Sequence, residues 1–74
     1  MKLKNIEFLV DGNGQITLGQ IGPVRCAAIA SDDGNCLASL VKDEKESLGE
    51  FLVRLDRAIE DALEREVYVD EINS

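Results

Sequence analysis

The residues best placed to do chemistry come early in the chain. Asp11-Gly12-Asn13-Gly14-Gln15-Ile16 reproduces the middle of a helix-flanked calcium loop: oxygen ligand, glycine, oxygen ligand, turn glycine, linker, β-branched anchor. The two positions that complete such a loop fall on Leu9 and Gln20. Calcium's shell of oxygens needs a ligand at the first and a bidentate carboxylate at the second. Leu9 offers none, and Gln20 offers one neutral oxygen. The flanks "IEFLV" and "QITL" also read as strands, not helices. The stretch is therefore read as a turn. A three-residue loop, Gly12-Asn13-Gly14, sets Val10 opposite Ile16 and Phe8 opposite Leu18, gathering Ile6, Phe8, Val10, Ile16 and Leu18 on one face.

Other chemistry is sparse. The chain has no histidine, the commonest general base and metal ligand. Cys26 and Cys36 lie ten apart, which matches no metal-ligand spacing, and Arg25 points to the opposite strand face from Cys26. Both cysteines read as small hydrophobes, unpaired with each other. Ser31, Ser39, Ser47 and Ser74 stand in strand, cap or tail positions, and Asp32-Asp33 belongs to a turn. No catalytic residue, metal or cofactor is expected, and the chain does not read as an enzyme.

Charge narrows the partners. Residues 1–42 hold four acids and four bases, whereas residues 43–74 hold eleven acids against four bases, so the net charge of −7 comes from the second half. That half would be repelled by nucleic-acid phosphates and anionic lipid, so neither direct nucleic-acid binding nor membrane binding is expected. No apolar run approaches the length of a bilayer span. Glu7 and Asp11 interrupt any signal-peptide core after Met1-Lys2-Leu3-Lys4. The expected setting is the cytoplasm of a bacterium or its phage.

The elements follow from pattern. Residues 5–21 read as the first hairpin. "VRCAAIAS" and "CLASLV" around Asp33-Gly34 read as a second over 24–42. Ser47 and Glu50 form a capping box for a helix over about 44–65. Its stripe is Leu48, Phe51, Leu52, Leu55, Ile59, Ala62 and Leu63. Glu50→Arg54 and Asp61→Arg65 are spaced to pair along it. Residues 66–74 alternate as a short strand or tail. The expectation is one α+β domain over 1–74: two hairpins in a small antiparallel sheet, with one long amphipathic helix on one face. One helix covers one face, so a homodimer is expected to cover the other. Ala28, Ala30, Leu37 and Val41 are candidates for its interface, and Ala27, Ile29, Ala38 and Leu40 are candidates to meet the helix; the pattern leaves open which set faces which way. Val53 lies opposite the helix stripe, as a candidate partner contact.

"SLGEFLVRLDRAIEDALE" with "ASDDGNCLASL" resembles the helix and first hairpin of HicB-type antitoxins. The resemblance spans about half the chain. It implies an acidic protein with a β-β-β-α-β half-fold that neutralises a small toxin ribonuclease. The leading functional expectation is a small, acidic, non-catalytic protein-interaction module from a phage, plasmid or bacterial accessory region, its protein partner unnamed. One alternative is a nucleic-acid mimic whose Glu50, Glu60, Asp61 and Glu64, with Asp70 and Glu71, imitate phosphates toward a DNA- or RNA-acting protein. The other is a HicB-like antitoxin partner without a DNA-binding segment.

Overall fold

A computed structural model describes residues 2–73. The elements run α1 (Lys4–Asp11), β1 (Gly14–Ile21), β2 (Val24–Asp32), β3 (Asn35–Val41), α2 (Leu48–Arg65) and β4 (Val69–Asp70). The sheet order is β1-β2-β3-β4. The first three strands are antiparallel, and β4 lies parallel to β3. The fold is α+β, with the long helix against the sheet and a short C-terminal strand, as the sequence pattern suggests.

The first hairpin needs correcting. Residues 4–11 form a helix, and β1 pairs with β2 across a two-residue turn, Ile21 opposite Val24. Gly22 occupies the first turn position at φ 57°, a left-handed conformation that glycine adopts without strain. The "IEFLV" segment has strand-forming residues but no strand partner. Its helix is held from far along the chain. An eight-residue helix is marginal alone, and Leu3 gives it no side-chain cap. Asp56, nine-tenths buried on α2, supplies the cap instead. Its Oδ1 accepts the backbone N–H groups of Asn5 (2.8 Å) and Ile6 (2.9 Å), and its Oδ2 accepts Asn5 Nδ2 (3.0 Å). Its negative charge also sits at the positive end of the helix dipole.

The second hairpin forms over 24–41. Asp33 and Gly34 both have positive φ, 50° and 84°, the combination that Asp-Gly hairpin turns select. Cys36 stands opposite Ser31. One extra residue in β3, Leu37, then shifts the ladder so that Val41 meets Ala27 and not Cys26. Both cysteines are free.

α2 begins at the expected capping box, with Ser47 Oγ accepting from Glu50 N–H at 3.1 Å and Glu50 accepting from Ser47 N–H at 2.8 Å. It ends at Arg65, with Glu66 in the left-handed region at φ 55°. Its buried side is Phe51, Leu55, Ala58, Ile59 and Ala62, while Leu48 and Leu63 of the expected stripe stay partly exposed. Both helices pack on one sheet face. Leu9 of α1 joins the α2 residues over Ala28, Ala30, Leu37, Ala38 and Leu40. The open question of facing is thus answered, and one expectation is corrected. Ala28, Ala30 and Leu37 lie in the core, out of a partner's reach, and of the four interface candidates only Val41 faces away from the helices. The opposite face carries Thr17, Ala27, Ile29, Ser39 and Val41 by register.

Candidate functional site

Three features of the surface have the chemistry to act on something else. The first is the outer face of α2, where the sequence-selected residues sit. Val53 is half exposed, in a shallow depression with Ser47, Gly49 and Glu50. The carboxylates are less free than their spacing suggests. Glu50 is committed to the capping box. Glu60 lies 3.6 Å from Lys4 Nζ and accepts from Asn5 Nδ2 at 3.4 Å. Asp61 pairs with Arg65 at 2.6 Å, the expected i,i+4 contact. Glu64 makes no ion pair among the described residues.

The second feature is a charged junction beside α2. Arg54 does not pair with Glu50, because three better-placed acceptors compete for it. Its Nε donates to Glu46 (2.9 Å), its Nη1 to Glu71 (2.9 Å) and its Nη2 to the carbonyl of Val41 (2.8 Å). The guanidinium also lies 5.4 Å from the Phe51 ring centroid. Glu71 extends the β4 pairing in turn: its N–H donates to Ser39 O (2.7 Å), and its carboxylate accepts Val41 N–H (2.8 Å). The junction is structural. It fastens the start of α2, the end of β3 and the tail after β4.

The junction has a pH signature. The Arg54 guanidinium, then the Asp43 N–H, hold the Glu46 carboxyl below its ordinary range, and Glu46 raises Arg54 in return. Ser47 lowers Glu50 through its N–H and hydroxyl, and the Asn73 N–H lowers Asp70. A lowered folded-state pKa contributes stability above the ordinary value, and that contribution is lost as pH falls through the lowered one. Protonation also relieves repulsion among the acids of residues 43–74, which acts the other way. The clean readout is therefore a difference. The gap in urea midpoint between wild type and Arg54→Met is expected to be constant from neutral pH to about 5 and to shrink below about 4. A gap unchanged down to about pH 3 would remove Glu46 as Arg54's energetic partner.

The third feature was invisible to the sequence reading. Of three aromatics, only Phe51 is buried; Phe8 is 65% exposed and Tyr68 60%. Both lie toward the end where β2 turns into β3. Tyr68 lines a shallow depression with Asp32, Asn35, Cys36 and Leu37. Phe8 is in the last turn of α1, which ends beside that turn, Asn13 O accepting Asp33 N–H at 3.4 Å. The hairpin reading places Phe8 on a buried face. Its exposure follows from the helix, where Ile6 and Leu9 turn inward and Phe8 cannot.

Family models, curated proteins and solved structures were all compared with the chain. None matches it. Among the described residues, no three Cys, Asp or Glu side chains gather as a metal would require, and no helix is long and apolar enough to cross a membrane.

Proposed function

We propose that this chain is a small, acidic, non-catalytic interaction module that acts by binding a protein partner at the end of the sheet carrying Phe8 and Tyr68. The observation that supports it is the placement of the aromatics: a chain with three spends two of them on the surface. Aromatic side chains are enriched at the anchors of protein interfaces, where a large rigid surface is buried with little loss of conformational freedom. Val67, half exposed and next to Tyr68 in the chain, extends the apolar area. Two unpaired cysteines suit a reducing cytoplasm, in a bacterium or its phage.

The test is affinity capture from source cells with wild type, Phe8→Ser and Tyr68→Ser. One protein recovered in fixed ratio with wild type and lost with both variants, whose circular dichroism is unchanged, is the expected outcome. Recovery of the same proteins by all three would end this reading.

One observation favours the nucleic-acid mimic as a second reading. By spacing Arg54 and Arg57 interrupt the negative face of α2, and Arg54 is drawn aside into the Glu46–Glu71 junction. Asp61→Asn with Glu64→Gln tests it, leaving Glu60 to hold Lys4 and Asn5. A mimic's affinity would collapse with this pair and fall steeply with salt. The antitoxin reading draws on the run β2-β3-α2-β4, whose hairpin and helix are the segments that resemble HicB antitoxins. Its partner in the same capture would be a small ribonuclease.

A further inference from the structure

The two edges of the sheet are built differently. β4 is two residues long, carries Asp70 and is followed by Glu71, and its neighbour's amide at Val41 is already taken by the Glu71 carboxylate. Short length and charge are the usual protections of an edge strand. β1 has neither. Its eight residues, Gly14–Ile21, include no Asp, Glu, Lys, Arg or Pro. Among the described residues, no group from another element hydrogen-bonds to its outer side. A bulge between Gly19 and Ile21, with Gly19 at φ 132°, irregularises its far end and leaves Gly14–Leu18 regular. On the helix side of that stretch Leu18 remains 44% exposed.

We infer that the β1 edge pairs antiparallel with β1 of a second copy, joining two four-stranded sheets into one across a two-fold axis. The inference goes beyond the interaction reading above and stands on separate observations. Charge selects the occupant. Two chains of net −7 repel, but their excess acid lies in residues 43–74, while residues 1–42 are neutral. Pairing through β1, at the opposite sheet edge from β4, brings the neutral parts together and keeps the acidic edges apart. Register follows from alternation. Opposed residues in an antiparallel pair share a face, so position numbers in each pair must sum to an even value. Thr17 on the axis sets Ile16 of each copy opposite Leu18 of the other, covering the exposed leucine. It also sets Gln15 opposite Gly19 on the bare face. Main-chain hydrogen bonds then supply affinity, as in strand addition generally.

The experiment uses charge at that axis. Gln15 and Thr17 are exposed, so Gln15→Lys/Thr17→Lys and Gln15→Glu/Thr17→Glu leave the core alone. Light scattering of purified wild type is expected to give the dimer mass. Each double variant, with like charges clustered at the axis, should raise the dimer dissociation constant about tenfold or more. An equimolar mixture of the two should recover the dimer. A monomeric wild type, variants that dimerise like wild type, or a mixture that stays monomeric would each overturn the proposal. If wild type is monomeric yet its capture still depends on Phe8 and Tyr68, the β1 pairing fails while the interaction reading stands. If the dimer forms but nothing else is captured, the β1 pairing holds and the module's outside partner is lost.

Discussion

Asp56→Ala is expected to destabilise the fold by about 3 kcal/mol, the sum of a lost helix cap and part-buried N–H donors left unpaired. In a domain of this size that corresponds to a midpoint temperature lower by roughly 15 °C. The reasoning is local to one carboxylate. Asp56 accepts three hydrogen bonds from Asn5 and Ile6, and α1 has no other side-chain cap. Without it the helix has an unsatisfied N-terminus, and Leu9, 1% exposed, loses the scaffold that buries it. Asp56→Asn keeps an oxygen for the two backbone donors but loses the charge and turns an amide toward Asn5 Nδ2. It should fall between wild type and alanine. Thermal unfolding followed by circular dichroism checks the series. An alanine variant melting within about 3 °C of wild type would mean that α1 is held by its apolar contacts alone.

The second large effect is expected at Gly14. A Cβ there would lie 2.7 Å from Leu9 Cβ, 2.8 Å from Leu9 Cδ2 and 2.9 Å from the Ser31 carbonyl oxygen. The glycine is needed for space, since its φ is not left-handed. The Leu9 side chain could turn aside, but it is fully enclosed, and the carbonyl belongs to the neighbouring strand's backbone. Gly14→Ala is therefore expected to cost about 2 kcal/mol through overpacking. Gly22→Ala makes a useful contrast, because its Cβ would meet nothing within 4 Å and only its φ of 57° opposes the change. Urea unfolding should show the larger loss at Gly14. Equal losses at the two sites would mean that α1 does not sit on β1 as described.

These two residues also explain what the sequence could and could not reveal. The long helix was legible because its signals are its own: the Ser47–Glu50 box, the periodic apolar stripe, and Glu66 arriving where continuation would turn an acid inward. The second hairpin was legible because Asp33-Gly34 dictates its turn locally. α1 was not, because its cap lies about fifty residues further on and its "IEFLV" core has the composition of a strand. Gly14 compounded the error: a glycine kept small to admit Leu9 looks, in sequence, like a turn glycine. Alternation also failed to orient β2, since Ala27 and Ile29 are as apolar as Ala28 and Ala30. Only the position of the helices distinguishes the faces. The exposure of Val53 was readable from its angle on α2. That of Phe8 and Tyr68 was not, because it depends on the helix at residues 4–11 and on where β4 docks.

Association through β1 is tested most directly by amide hydrogen exchange at residues 14–19. In an unpaired edge strand, the outward-facing amides have no partner and exchange freely. Exchange should be compared in dilute and concentrated samples, with β4 as the internal reference. The account requires protection over 14–19 that rises with protein concentration, with none of that rise at 69–70. Protection at β1 that ignores concentration, or a rise confined to β4, would contradict it.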